Sequence, residues 1–269
     1  MRFKLVALDI DGTLINSQRV ITPKTKDVLK KIQEMGVRVV LATGRPVAGI
    51  RKITNVLELN SYALTYHGGK VIDIKTNEIL FEKNLNIDDA KKIISLGEKL
   101  DTNILVWAQE HLYVNKVNER SLRYSKNSCV EVQVFTKDFS FDNLQINKII
   151  WYDDKDRINN YFQVLENIKF KSLNYYTSNP DFLEFVDASV SKEEGLEILR
   201  KYYHLQKNEI IAIGDGFNDL TMLKYAGVGI AMGNAPEAVK NCATFVTKTS
   251  DEDGVAYALE KYILNERSE

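Results

Sequence analysis

Four short stretches carry residues whose types and spacing could do chemistry. Asp9-Ile10-Asp11-Gly12-Thr13 places two carboxylates at i and i+2, which point to the same side of an extended chain. Like charges that close repel, so something must compensate them. A divalent cation does so, and Mg²⁺ prefers one or two carboxylates completed by phosphate oxygens and water. The Asp-x-Asp-Gly pattern also opens calcium loops, but Val20 stands where an EF-hand places its bidentate Glu. Leu41-Ala42-Thr43-Gly44-Arg45-Pro46 offers a hydroxyl and a glycine amide just before a helical pattern, where backbone N–H groups favour an anion. Gly44 and Gly49 have the spacing of a nucleotide P-loop, yet Ile50-Arg51 follows instead of Lys-Ser/Thr, which rejects that motif. Lys192 follows Ser191 at a helix start, where the macrodipole disfavours a cation unless an anion lies beside it. Gly214-Asp215-Gly216-Phe217-Asn218-Asp219 packs two carboxylates and an amide into a glycine-rich turn.

Taken singly, each stretch is also readable as a solvated strand-to-helix turn or, for Lys192, as a surface lysine. Their placement argues otherwise. Phe3–Leu8, Val37–Ala42 and Glu209–Gly214 are apolar runs of the kind found in fully buried strands, and three of the stretches follow them directly. Ligands of open α/β sheets bind beyond the carboxyl ends of the strands, so three polar turns at three strand ends are poorly explained by chance.

The elements between these stretches alternate. Thr22-Pro23 reads as an N-cap with proline in the first turn, Val28, Leu29, Ile32 and Met35 recur at helical spacing, and Gly36 is a stop. Pro46–Leu57 reads as helix and Tyr62–Tyr66 as strand. Ser191–Tyr203 reads as a helix opened by a capping box of Ser191 and Glu194, Gly227–Met232 as a strand, and Asp251–Leu264 as a closing helix. Strand-helix alternation predicts parallel strands covered by helices on both faces. Between about residues 84 and 187 the texture changes to strands Ile104–Trp107, Leu112–Asn115, Lys148–Tyr152 and Phe182–Val186, with an amphipathic helix over Asp88–Leu100. This predicts a core of residues 1–83 and 188–269 interrupted by an α+β insert, 84–187, whose aromatic content gives it a core of its own.

Composition narrows the partners. With 36 Lys+Arg against 37 Asp+Glu the net charge is −1, so no global field attracts nucleic acid or a lipid surface, and a charged ligand needs a local site. The two cysteines, Cys129 and Cys242, show no CxxC pairing and read as buried reduced thiols. Asp9 interrupts the first apolar run too early for a signal peptide, and no stretch approaches the roughly 18 apolar residues of a membrane span. A soluble, cytoplasmic protein without nucleic-acid or membrane partners is expected. Nothing in the sequence specifies an oligomeric state.

The motifs DIDGT, LATGR, Lys192 and GDGFND, in this order, resemble those of the haloacid dehalogenase-like hydrolases. The insert after the third strand resembles the α+β (type IIB) cap of their Cof-type phosphatases. The resemblance implies a Rossmann-like α/β core with an inserted cap, and a Mg²⁺-dependent phosphatase acting on a small phosphorylated metabolite through an aspartyl-phosphate. By motif matching it places the nucleophile on Asp9 and the general acid/base on Asp11. Phosphate contacts fall on Ile10, Thr43, Gly44, Lys192 and Asn218, and Mg²⁺ ligands on Asp9, Asp11 (through its main-chain carbonyl) and Asp215, with Asp219 orienting the metal shell. A phosphomutase returning the phosphoryl group to substrate, or a phospho-Asp signalling receiver, are the rival readings; the latter lacks a large insert. Two positions depart from the family pattern: His67-Gly68-Gly69 stands where many relatives have Asn-Gly-Ala, and Glu193 follows Lys192 where they have Gly. Both bear on specificity rather than on the nucleophile.

Overall fold

The computed structural model describes residues 2–136 and 138–265, which fold as two compact units. One consists of 1–44, 52–81 and 191–269, the other of 45–51 and 82–190. The short segment 45–51 groups with the insert because its turn, Ala48–Ile50, packs against the insert helix Glu119–Ser128.

In the first unit five strands form a parallel sheet in the order Phe245–Val246, Val228–Ala231, Ile210–Gly214, Leu5–Leu8, Arg38–Leu41. Tyr62–Thr65 continues it beside Arg38–Leu41 through a parallel bridge between Ala42 and Leu64. The four inner strands are buried almost throughout, as their unbroken apolar runs require. Leu5 and Ala7 face a cluster with Leu196, Leu199, Met222 and Leu223 from helices Lys192–Tyr202 and Leu220–Tyr225. Helices Pro23–Glu34 and Gly254–Leu259 pack on one another elsewhere in the unit. The chain moves outward from Leu5–Leu8 in one direction first, and later outward from Ile210–Gly214 in the other. The reversal therefore lies between these two central strands, where Asp9 and Asp215 begin the loops that follow them.

Several helix boundaries follow local sequence chemistry. Thr22 caps Pro23–Glu34 by accepting from the Thr25 amide at 3.1 Å, and Gly36 leaves that helix with φ 87°. Ser191 caps Lys192–Tyr202 by accepting from the Glu194 amide at 3.2 Å. Two expectations need correction. The Pro46–Leu57 segment is a 3₁₀ turn, Ala48–Ile50, followed by a short helix, Arg51–Val56. The closing helix starts at Gly254 rather than Asp251, because Asp253 adopts the left-handed conformation (φ 58°) and separates it from the turn Ser250–Glu252.

The insert contains a six-stranded sheet in the order Leu173–Asn179, Phe182–Asp187, Ile146–Tyr152, Asn103–Ala108, His111–Val114, Val132–Val134, antiparallel except for its last pair. One face packs Ile104, Val106, Ile149, Trp151 and Phe185 against helices Ile87–Lys99 and Lys155–Glu166. Trp151 meets Phe185 and Tyr161 edge-on at 4.8 and 5.3 Å between ring centres, so the aromatic content does build a separate core. The same sheet carries a buried ion pair, Lys148 Nζ to Glu184 Oε2 at 2.7 Å, with the two side chains 3% and 5% exposed. Both cysteines are free, but neither is buried as expected: Cys129 is exposed, ending its helix in a left-handed turn (φ 57°), and Cys242 is half-buried. Among the described residues no helix is long and apolar enough to cross a membrane.

Candidate active site

Asp9 directly follows the first strand, its amide donating to the Ile213 carbonyl at 3.0 Å so that the backbone stays aligned with the sheet while the carboxylate emerges at the sheet's carboxyl end. The side chain is almost fully buried. Lys192, buried at the first position of its helix, places Nζ 2.5 Å from Asp9 Oδ1 and 2.5 Å from Asp219 Oδ1. The anion that the macrodipole calls for beside that lysine is thus a pair of carboxylates. The second oxygen of Asp219 accepts from the amides of Asp215 and Gly216 at 2.9 and 2.8 Å. Gly214 permits this fold-back, since a Cβ there would stand 2.5 Å from the Asp219 carboxyl carbon.

Asp215 is fixed from the Asp9 loop. Thr13 donates to its Oδ1 at 2.9 Å, and Gly12, at φ 78°, lets it approach so closely that a Cβ would meet Oδ2 at 2.4 Å. Asn234 ties the two loops together by donating to the Gly12 carbonyl at 2.9 Å and to Asp215 Oδ2 at 3.4 Å, and its own oxygen accepts from the Ser250 amide at 2.9 Å. Neither Asn234 nor the bond made by Thr13 stands out in the sequence. Thr13 belongs to a motif that does, and Asn234 follows Gly233 just after a buried strand, the one signal that could have found it.

The remaining sequence candidates fall around this group. Thr43 is buried, its amide donating to the Leu64 carbonyl and its carbonyl accepting from His67, both at 2.9 Å. Gly44 lies under the His67 ring. Asn218 is half-buried in the turn Phe217–Asp219, its amide oxygen over Gly216. Ile10 is fully buried and accepts from the Ile15 amide at 2.8 Å, which closes the loop that carries Asp11. The Asp11 side chain is exposed, so the turn places the two carboxylates of DIDGT in different surroundings.

Asp9, Asp215 and Asp219 form the acidic group here, with one oxygen of each within 4.8 Å of the others, and the Asp11 carboxylate lies outside it. Because three carboxylates face one ammonium, charge is unbalanced. Burial, then Asp219 and Asp215, hold the Asp9 pKa well above the usual carboxylate value although Lys192 pulls it down. Asp215 is pushed up to about 6, first by burial and then by Asp219, with Asp11 adding to it. Burial works against the charged form of Lys192, but Asp219 and Asp9 outweigh it and raise its pKa, so the lysine stays protonated. An all-oxygen, net-anionic donor set suits a hard divalent cation. Asp9 and Asp215 have oxygens to give one. Asp219 is the most heavily engaged of the three, by Lys192 and two amides.

The sequence pattern of the haloacid dehalogenase-like hydrolases matches residues 6–259. A putative phosphatase of Streptococcus pyogenes serotype M6 is 31% identical over 269 residues, covering 98% of this chain and 100% of the relative. A 5-amino-6-(5-phospho-D-ribitylamino)uracil phosphatase of Bacillus subtilis is 32% identical over 262 residues, covering 97% and 96%. Among solved structures, a haloacid dehalogenase-like hydrolase from Bacteroides thetaiotaomicron superposes with a TM-score of 0.88 at 34% identity, covering 96% of this chain and 99% of that one.

Proposed function

The chain belongs to the haloacid dehalogenase-like hydrolase family, and from that premise we propose that it is a Mg²⁺-dependent phosphomonoesterase acting on a small phosphorylated metabolite. The observation that carries the reading is the buried Lys192 held between Asp9 and Asp219, beside Asp215, at the reversal point of the sheet. A carboxylate kept at a strand end against a fixed ammonium is a nucleophile placed beside the charge that a phosphoryl group needs.

In this mechanism an Asp9 oxygen attacks phosphorus in line with the leaving alkoxide, and an aspartyl-phosphate forms as the P–O bond to the substrate breaks. Asp11, on the exposed side of the same loop, gives its proton to the alkoxide and then takes one from the water that cleaves the acyl phosphate. Lys192 and the Thr43-Gly44 loop hold the equatorial oxygens, since positioning and electrostatics dominate phosphoryl transfer. The Asp9 and Asp215 carboxylates and the Asp11 main-chain carbonyl would hold Mg²⁺, which would supply Lewis-acid stabilisation of charge on the transferring group. Asp219, Thr13 and Asn234 keep these groups in place.

Phosphate release should be measured over a panel of sugar phosphates, nucleotides, pyridoxal phosphate and 5-amino-6-(5-phospho-D-ribitylamino)uracil, the last because of the Bacillus subtilis relative. Hydrolysis of a member of the panel that is lost in Asp9→Asn is expected. Near-wild-type release by that variant overturns the mechanism, and transfer without net phosphate release converts the reading to a phosphomutase.

A further inference from the structure

We propose that His67 is a positioning residue that sets the phosphate-binding loop at Thr43-Gly44 and ties it to the helix carrying Lys192. This rests on Thr43 and Lys192 being phosphate ligands, as proposed above. Tyr66, His67 and Gly68 take φ values of 50°, 61° and 95°, three successive left-handed residues in the turn that follows strand Tyr62–Thr65. Side chains rarely adopt that conformation in succession, so the surroundings must hold the turn.

Three contacts do so. The His67 amide donates to the Thr43 carbonyl at 2.9 Å. The imidazole, only 4% exposed, lies so close to Gly44 that a Cβ there would stand 2.2 Å from its Cε1 and 2.3 Å from its Nε2. Gly68 abuts the start of the lysine helix, where a Cβ would come within 2.1 Å of the Ser191 carbonyl oxygen. One turn is therefore wedged between the two loops that would grip phosphate from different directions. Removing the ring opens space over Gly44 and frees the Thr43-Gly44 backbone to shift. Adding a methyl at Gly44 should displace the ring, and the two changes should be coupled because each acts on the same contact.

The test uses His67→Ala, His67→Asn, Gly44→Ala and the Gly44→Ala/His67→Ala double variant, with inorganic phosphate as inhibitor and p-nitrophenyl phosphate as substrate. His67→Ala should raise the inhibition constant of phosphate and the KM by the same factor, about tenfold, with a smaller change in kcat. His67→Asn, which keeps a side chain tolerant of left-handed backbone, should fall between it and the wild type and carries the test if His67→Ala does not fold. Gly44→Ala should weaken phosphate binding about tenfold more in the wild-type background than in His67→Ala. An unchanged phosphate constant in both His67 variants, or an equal cost of Gly44→Ala in both backgrounds, overturns the role of His67 while leaving the phosphatase reading intact. A wild-type protein that neither binds phosphate nor cleaves phosphomonoesters overturns the phosphatase reading, and this role with it.

Discussion

Both units of this protein bury charge, and they do so in opposite ways. In the insert, Lys148 meets Glu184 at 2.7 Å, one ammonium for one carboxylate. Burial works against the charge on Lys148, but Glu184 raises its pKa and keeps it protonated. In the core unit one ammonium, Lys192, faces Asp9, Asp215 and Asp219, and two of those carboxylates are pushed upward. A buried pair matched charge for charge carries its own compensation. An unbalanced cluster carries a free-energy penalty that an added cation can relieve, and that incompleteness is what makes the core cluster the candidate site.

The largest effect should come from breaking the unbalanced cluster at Asp9, the proposed nucleophile. Asp9→Asn should lower kcat by about 10⁴-fold or more, while removing one of the repelling carboxylates leaves the thermal midpoint of metal-free protein at or above that of the wild type. Phosphate-release kinetics and a melting curve check both halves. Lys192→Ala should cost less turnover, about 10²–10³-fold, the scale of losing one preorganised charge, but should destabilise metal-free protein by about 3–5 kcal/mol because two carboxylates lose their partner. Mg²⁺ should then raise its melting temperature more than that of the wild type; an equal shift would mean that the lysine and the metal do not share the cluster.

Acidity separates the two regions further. Asp215 has a folded pKa of about 6, above its unfolded value of 3.8, and Asp9 is shifted in the same direction. Folded metal-free protein therefore binds more protons than the unfolded chain in this range, and Asp215 favours the fold at low pH and loses that contribution as pH rises through about 6. Bound Mg²⁺ requires the ionised carboxylates, so its stabilising shift should be small at pH 5 and grow above pH 6, as paired melting curves would show. The smallest net effect belongs to removing the balanced pair as a whole. Lys148→Met alone should destabilise the insert by about 3–5 kcal/mol, yet Lys148→Met/Glu184→Leu should return close to wild-type stability in denaturant melts. If the double variant is as unstable as the single one, the pair does more than neutralise itself.

Much of the core was legible because its signals are local. Thr22, Pro23 and Gly36 bound their helix through side-chain and backbone chemistry that needs no partner, and the inner strands are apolar runs with no other home. Asp9, Lys192 and Asp215 stand out for the same reason, each being out of place unless something nearby answers its charge. The left-handed turn at Asp253 and the exposed Cys129 were not legible, since both follow from backbone conformations that no residue type dictates. In the insert, helices Glu119–Ser128 and Lys155–Glu166 and strand Leu173–Asn179 went unread, their polar faces masking the few apolar positions that face inward. Asn234 and the His67 ring escape for a third reason: their meaning lies in bonds and close approaches between loops far apart in the chain.

The register of the central strands also governs the order in which the chain can fold. Leu5–Leu8 pairs on one side with Arg38–Leu41, which follows it promptly, but on the other with Ile210–Gly214, aligned from Leu5 against Ile210. As the polypeptide leaves the ribosome, that second edge stays open until most of the chain has been made, and an apolar open edge invites pairing with other chains. The insert has no such wait over 82–190, whose six strands find all their partners within one continuous stretch. It can complete its sheet while the strand that leads to Asp9 is still half-paired. Slowing synthesis beyond the insert should therefore raise aggregation of the nascent chain through the Leu5–Leu8 edge.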